Sequence, residues 1–221
     1  MIGKIEVYME HNCEYDTLKD PSLKTRIFIN ILNVTFPGIG DFIEEAPEFA
    51  LRIIGPFKGR KTAGFRIASA IPEIFRAVIF SLSNIFRKEI KIEGISLKLL
   101  AIYTKDRPYV RTFLNPQKPL TSPTVSIAKL KTLTPLKLSS PIVQTLEIAS
   151  KEYELIFGKQ PLNIAPSPLF FKFIHTVHGL KGTIIFPVNS AEHVNFYKFL
   201  EISGLGTERL TGYGDITVEF N

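Results

Sequence analysis

A glycine-rich segment near the C-terminus, GLGTERLTGYG at residues 204–214, is the most informative stretch of this sequence. We call it the glycine loop; its glycines and its one arginine are Gly204, Gly206, Gly212, Gly214 and Arg209. Glycine adopts positive φ and lacks Cβ, so such a loop can bring backbone N–H groups against an anion. A dinucleotide-binding fingerprint follows a strand and begins a helix, whereas this loop follows a helical pattern and precedes a strand pattern. It is not a Walker loop either, because no Gly-Lys-Ser/Thr follows it. It therefore predicts either a phosphate-binding loop of another kind or a turn that only joins a helix to a strand.

The rest of the second half predicts a mixture of strands and helices around this loop. Ser190 is a typical N-cap for the last helix, and Pro141 is typical of the start of an earlier one. Alternating or apolar runs predict strands at Thr124–Leu130, Thr132–Leu138, Leu169–Val177, Thr183–Val188 and Asp215–Phe220.

The first half gives a similar series of patterns. Asp20-Pro21 predicts the start of a helix that Phe36-Pro37-Gly38 interrupts, and a short helix over Ile39–Ala46 follows. Pro72 predicts the start of a second long helix. The predicted strands are Ile2–Met9, Phe49–Ile54, Phe65–Ser69 and Ile95–Thr104.

The order β-α-β-β-α-β therefore occurs twice, which is the split βαβ arrangement. We predict an α+β protein with tandem duplicated ferredoxin-like (RRM-like) domains, residues 1–122 and 123–221, the second carrying the glycine loop at 204–214. The proline-rich stretch 105–122 predicts a linker or an irregular hairpin between them.

Composition narrows the class of protein further. The 221 residues are 45% hydrophobic and 22% charged, which is typical of a globular chain, and the net charge of +6 suits a polyanionic partner. Cys13 is the single cysteine, which excludes an intrachain disulfide and a cysteine-based zinc site and fits a reducing cytoplasm. We expect neither a signal peptide nor a membrane-spanning segment.

The G-x-G-x-x-R-x-x-G-aromatic-G pattern in a duplicated ferredoxin-like chain resembles the RAMP superfamily of CRISPR-associated RNA-binding proteins. Within that superfamily, the sequence is similar to the pre-crRNA processing endoribonuclease family over nearly its whole length. Weaker similarities to that family are found at Leu23–Glu45, Gly64–Ile74, Leu133–Leu136 and His178–Gly182. The resemblance implies a cytoplasmic protein of antiviral defence that takes part in crRNA processing by binding CRISPR repeat RNA, with no cofactor and no metal.

The same resemblance raises a question about catalysis. The family cleaves its repeat RNA without metal, using the RNA 2′-hydroxyl as nucleophile and a histidine late in the first helical segment as general acid or base. In the family a glutamate follows this histidine, and the matching pair in this sequence is Glu44-Glu45, so that Glu44 occupies the place of the histidine. The family's supporting tyrosine and lysine are replaced by Ile29 and Glu48. Carboxylates repel phosphate and cannot stabilise a negative transition state. We expect His11 to be the best alternative catalytic residue, unless cleavage uses lysine and arginine alone or the alignment is shifted by a few residues.

Basic residues are the candidates for holding RNA, which in the family lies in a basic cleft between the two domains. The predicted RNA-binding residues are Lys24, Arg26, Lys129, Lys131, Lys137, Gly204, Gly206, Arg209, Gly212 and Gly214, with Lys58, Arg60 and Lys61 as a clamp for a flanking phosphate. The alternative for each lysine is a solvated surface charge that does not contact RNA. Arg209 is the most specific of them, because a guanidinium in a glycine loop suits a phosphate and has few structural uses. Tyr213 either stacks on a base or fills the core beneath the loop.

Three functions stay open at this point. The protein is a repeat-RNA endoribonuclease with an altered catalytic set, or a non-catalytic repeat-RNA-binding relative that belongs to a CRISPR ribonucleoprotein. The third alternative is a small α+β ligand-binding protein, for which no cluster of convergent polar residues is found. The resemblance also leaves open a homodimer and contacts with other CRISPR-associated proteins.

Overall fold

The computed structural model describes residues 1–57, 61–104, 114, 126–158 and 168–221. The chain forms two compact units. The first comprises Met1–Phe113 together with Leu210–Gly212, and the second comprises Leu114–Arg209 together with Tyr213–Asn221. The predicted boundary between residues 122 and 123 lies outside the described residues, as does nearly all of the predicted linker.

The first unit is a ferredoxin-like domain with one additional edge strand. Its elements are β1 (Gly3–His11), α1 (Pro21–Thr35), α2 (Ile39–Glu45), β2 (Arg52–Phe57), β3 (Thr62–Ser69), α3 (Pro72–Asn84), β4 (Glu89–Ile92) and β5 (Ile95–Tyr103). The antiparallel sheet has the order β2-β3-β1-β5-β4. Without β4 the order is β2-β3-β1-β5, which is the strand order of a ferredoxin-like βαββαβ domain.

The second unit repeats this arrangement with a four-stranded sheet. Its elements are β6 (Ile127–Thr132), α4 (Ile142–Phe157), β7 (Phe170–Thr176), β8 (Gly179–Pro187), α5 (Ala191–Ser203) and β9 (Ile216–Phe220). The antiparallel order is β7-β8-β6-β9. The predicted fold class, tandem ferredoxin-like domains with a C-terminal glycine loop, is confirmed.

Local sequence signals explain where the long helices begin. The Asp20 carboxylate accepts a hydrogen bond from the Leu23 N–H at 2.8 Å, and Pro21 occupies the first position of α1. Ser190 accepts from the His193 N–H at 3.2 Å and caps α5 in the same way. These two predicted helix starts are therefore confirmed.

Strand alternation determines which side chains meet the helices. In the first unit, Ile5, Val7 and Met9 of β1 are buried in the main core. In the second unit, Ala128 and Leu130 of β6 are buried. Because neighbouring residues of a strand point to opposite faces, Lys129 and Lys131 lie on the face of the second sheet that points away from this core.

Two sequence predictions differ from the structure. Strand β4 was not predicted: Glu93 and Gly94 have positive φ and join it to β5 in a tight hairpin, for which a Glu-Gly pair is a weaker signal than Asn-Gly. The predicted strand Thr132–Leu138 is wrong beyond Thr132, where isolated bridges occur at Leu136 and Lys137.

Candidate nucleic-acid interface

A basic patch covers one face of the second sheet. We call it the lysine face and define it by Lys129, Lys131, Lys172 and Lys181. These residues line a shallow depression of about 530 Å³ together with apolar side chains, among them Phe170 and Ile174. Phe170 is 49% exposed and Ile174 is 58% exposed. An open sheet that presents cations beside an exposed aromatic ring is suited to phosphates and unstacked bases.

The strand register explains why these residues meet. Lys131 pairs with Thr183 of β8, and Thr183 pairs in turn with Lys172 of β7. The next row on this face consists of Lys129, Ile185 and Phe170. Side chains in such rows lie within about 10 Å of one another across the sheet.

The electrostatic arrangement of the lysine face favours an anionic ligand. Lys129 Nζ lies 3.7 Å from Glu219 Oε2, a surface pair with both side chains substantially exposed. For the other three lysines, the described part of the chain provides no carboxylate within 4.0 Å. Like charges in close proximity cost stability, so an arrangement of this kind is typical of a surface that binds a polyanion.

Sequence reasoning identified Lys129 and Lys131 as candidates but missed Lys172, Lys181 and Phe170. The alternation in Phe170–Ile174 already placed Phe170, Lys172 and Ile174 on one side of a strand. What the sequence did not provide was the strand order, which brings β7 next to β8 and β8 next to β6.

The glycine loop spends several of its backbone N–H groups on contacts within the protein, which bears on the choice between a phosphate-binding loop and a connecting turn. The N–H groups of Gly204, Leu205, Thr207 and Gly214 donate to backbone carbonyls of the protein at 2.8 to 3.0 Å. These four donors are consequently not available to a phosphate. The loop uses much of its backbone to hold its own conformation.

The glycines of this loop permit close backbone contacts within the protein. A Cβ at Gly206, where φ is +91°, would lie 2.3 Å from the Lys137 carbonyl oxygen. A Cβ at Gly214, where φ is +72°, would lie 2.0 Å from the Leu205 carbonyl oxygen. Distances this short are incompatible with any side chain unless the backbone moves.

This packing gives a stability prediction. Gly206→Ala and Gly214→Ala should each lower the free energy of unfolding by roughly 3 kcal/mol, because positive φ costs about 1–2 kcal/mol and the steric overlap adds strain. Gly158→Ala is the matched control, since Gly158 also has positive φ (+71°) but its Cβ would meet no atom within 4 Å. Equal losses for Gly158 and Gly214 in urea denaturation would contradict the steric argument.

Arg209 has a structural role that the sequence did not indicate. Its side chain is 6% exposed, and its guanidinium makes a two-point pair with the carboxylate of Glu152 on α4, with Nη1 donating to Oε2 at 2.8 Å and Nη2 donating to Oε1. The expectation that an arginine in a glycine loop has few structural uses is therefore wrong. Burial and this geometry indicate an internal ion pair within the second unit.

Lys137 lies beside the glycine loop and is already partnered. Its Nζ is 2.6 Å from Glu208 Oε2 and 4.1 Å from the centre of the Tyr213 ring. The hydrogen bond to Glu208 raises the pKa of Lys137. Tyr213 thus contacts a lysine of its own unit, an arrangement that neither of the two sequence interpretations included.

Lys24 was predicted to contact RNA from the first helix, but its side chain is buried. Its Nζ donates to the Gly55 carbonyl at 3.1 Å and to the Thr211 carbonyl at 2.9 Å, both in the first unit. Lys24 is 4% exposed, so it stabilises the Leu210–Gly212 segment from within. Burial lowers the pKa of its ammonium group to about 8.

This lowered pKa predicts a pH dependence of stability. The folded pKa lies below the unfolded one, so the cost of burying the charge is greatest below pH 8 and disappears as the pH rises toward 10.5. Between pH 7.5 and 9.5, the free energy of unfolding should gain about 2 kcal/mol from Lys24.

Chemical denaturation at several pH values tests this prediction by comparing the free energy of unfolding of the unaltered protein with that of Lys24→Met. The variant should lose this rise, whereas Lys88→Met, which removes an exposed lysine of the same unit, should retain it. A rise that persists in Lys24→Met would assign the pH dependence to another group.

Arg26 lies at the surface, as expected for a residue of the first helix. Its guanidinium donates to both carboxylate oxygens of Glu93, at 2.7 and 3.0 Å. This two-point pair raises the pKa of Arg26 and lowers that of Glu93. A phosphate would have to compete with Glu93 for Arg26.

His11 is buried rather than exposed at the end of its strand. It is 7% exposed, and Nδ1 lies 2.9 Å from the Cys13 carbonyl, to which it donates as the Nδ1–H tautomer. Nε2 is also buried and has no hydrogen-bond partner among the described residues. Nε2 is thus buried and Nδ1 is held by the Cys13 carbonyl, although His11 contributes to the lining of a small depression beside Ser96 and Lys98. This geometry does not support His11 as a catalytic residue.

The remaining sequence candidates lie in the first unit. Glu44 and Glu45 are exposed on α2, Glu48 is exposed just beyond it, and Ile29 is nearly buried in the core. Lys61 is exposed, whereas Lys58 and Arg60 lie outside the described residues. The region expected to hold the catalytic histidine therefore presents carboxylates to solvent.

The described residues contain no cluster of three or more histidine, cysteine, aspartate or glutamate side chains that could hold a metal ion. They also contain no helix that is long and apolar enough to cross a membrane.

Comparisons with solved structures identify proteins with the same fold. The chain matches a Cas6 protein solved as a product complex with a TM-score of 0.70 and 13% identity, over 99% of this chain and 100% of the other. It matches Thermus thermophilus Cas6 with a TM-score of 0.62 and 14% identity, over 99% of this chain and 98% of the other. A RAMP protein binding different RNA substrates matches with a TM-score of 0.57 and 14% identity, over 98% of this chain and 99% of the other. No protein-family model matches the chain, and no curated protein matches it by sequence. The predicted fold and the resemblance to Cas6 and RAMP proteins are thus confirmed at the level of structure.

Proposed function

Given this fold, we propose that the protein binds CRISPR repeat RNA and that the lysine face provides much of the binding surface. The observation that carries the proposal is the set of four lysines beside Phe170 on the open second sheet, in a chain that has the Cas6 fold over its full length. Cations neutralise the phosphates, and an exposed ring stacks on a base without strong sequence preference. The earlier expectation that RNA lies in a cleft between the two domains stays a prediction.

The lysine face also distinguishes RNA from a small-molecule ligand. A small-molecule site is normally concave and encloses most of its ligand. The depression here is shallow, and its principal charged groups are lysines. Binding through several phosphates weakens steeply with salt, whereas binding in an apolar pocket hardly changes.

We further propose that the protein binds its RNA without cleaving it by the usual histidine mechanism. Glu44 and Glu45 are exposed where a general acid or base is expected, and His11 is only 7% exposed and hydrogen-bonded to the Cys13 carbonyl. A general base must reach the hydroxyl from which it takes a proton, directly or through one water molecule. The alternative is an endoribonuclease that uses lysine and arginine residues, with no contribution from His11.

The direct test is to incubate the purified protein with the repeat RNA of its own genome in EDTA and to score both gel shift and cleavage. We expect a salt-sensitive complex and intact RNA. A single metal-independent cut would establish the endoribonuclease alternative. Absence of binding at low salt would overturn the RNA assignment altogether.

A further inference from the structure

An exposed aromatic groove lies on the helical side of the first unit. We call it the phenylalanine groove and define it by Phe36, Phe42 and Phe80. These side chains are 38%, 56% and 55% exposed, and the Phe36 and Phe80 ring centres are 5.7 Å apart. The groove has a volume of about 730 Å³.

The local fold explains how three phenylalanines come to share one surface. Phe36 ends α1, and Gly38, with φ of +84°, turns the chain so that α2 can begin at Ile39. Phe42 follows one turn later on α2, and Phe80 lies on the outer side of α3, whose inner side buries Val78 and Leu82. None of these rings is needed to fill the core.

A contiguous apolar surface of this kind is unfavourable in water and is typical of an interaction site. Phe36 and Phe80 already contact each other, so part of the groove is preorganised. Aromatic side chains lose little conformational entropy on binding, which is why they often contribute most of the energy of an interface.

The charges around the groove indicate what kind of partner fits. Asp41, Glu44 and Glu45 are exposed on α2, and Glu73 is exposed on α3. The only basic residue lining the described groove is Arg76, which lies 3.8 Å from Glu73 with both side chains about 70% exposed. Glu73 and Arg76 therefore balance each other in the groove lining, whereas α2, which contributes Phe42, carries three exposed carboxylates and no basic residue. In a chain whose net charge is +6, helix α2 is thus an acidic side of the groove that disfavours RNA.

We propose that the phenylalanine groove binds an amphipathic segment of a partner protein, with apolar side chains in the groove and lysine or arginine residues against the acidic helix α2. Recognition of a helix in a hydrophobic groove uses apolar anchors at i, i+3, i+4 and i+7. Complementary charges then select partners and accelerate association. This interaction is independent of the RNA-binding function proposed above.

The test uses two fluorescent probe peptides with the same leucine and phenylalanine positions, one with lysine and one with glutamate at all other positions. We expect the lysine peptide to bind with micromolar affinity and the glutamate peptide at least tenfold more weakly. The variant Phe42→Gln/Phe80→Gln should weaken the lysine peptide at least tenfold and leave RNA binding unchanged. Both phenylalanines are more than half exposed, so this variant should fold normally.

Several results would overturn the proposal. The proposal is wrong if the lysine peptide does not bind or if both peptides bind equally well. It is also wrong if the double variant binds the lysine peptide as tightly as the unaltered protein does. A concentration-dependent dimer that dissociates in the double variant would instead assign the groove to a second copy of this chain. The triple change Asp41→Asn/Glu44→Gln/Glu45→Gln tests the charges separately and should weaken only the lysine peptide.

Discussion

Replacing the four residues of the lysine face by alanine should weaken RNA binding by about 10²–10³-fold at 0.1 M salt. Each lysine that neutralises a phosphate of a single strand contributes about 0.7 to the slope of log K against log salt. Four such contacts account for about 2.8 logarithmic units between 0.1 M and 1 M salt. The residues concerned are Lys129, Lys131, Lys172 and Lys181.

Fluorescence anisotropy with a salt titration measures both quantities. In the quadruple variant, the affinity should fall and the slope should become shallower by up to about 3. The matched control removes the same net charge elsewhere, through alanine at four exposed lysines: Lys88, Lys91, Lys98 and Lys151. If both variants lose affinity equally, the effect is one of net charge, and the lysine face has no special role.

Replacing Arg209 by alanine should lower the free energy of unfolding by about 3–5 kcal/mol. The change leaves the Glu152 carboxylate buried without its two-point partner, and an uncompensated buried charge is strongly destabilising. Arg209→Lys should restore only part of this loss, since an ammonium group lacks the planar fork of a guanidinium.

The double variant Arg209→Met/Glu152→Met isolates the cause of this loss. Replacing both members of a buried ion pair by apolar side chains is often nearly neutral, so the double variant should be more stable than Arg209→Ala. Urea denaturation measures all three variants. An Arg209→Ala protein with unchanged stability but weakened RNA binding would instead support the phosphate contact predicted from the sequence.

The fold was largely predictable because its signals are local. The Asp20-Pro21 pair and Ser190 mark the starts of two helices, and alternation marks most strands. Strand β4 was missed because it has four residues and its Glu-Gly hairpin is a weak signal. Residues 105–122, interpreted as a linker from their prolines, fall almost entirely outside the described residues.

The candidate site was less predictable because residue type does not determine burial. Lys24 and Arg209 are basic residues in segments that the sequence associated with RNA, yet each is nearly buried and bound to partners far away in the sequence. Their partners, Thr211 and Glu152, could be found only from the tertiary structure. Conversely, Lys172 and Lys181 join the surface only through the strand order of the second sheet.

The membership of Leu210–Gly212 in the first unit has a consequence for biosynthesis. The remainder of that unit ends by Phe113, so about 100 further residues must be translated before its last segment exists. At about 5–20 residues per second, this delay is on the order of 5–20 s. Until then the emerging chain lacks the Thr211 carbonyl that Lys24 binds and the Leu210 side chain that packs on the core. The first unit is therefore incomplete on the ribosome until most of the second, through Arg209, has been synthesised, and a truncated chain that stops at the predicted domain boundary would not reproduce it.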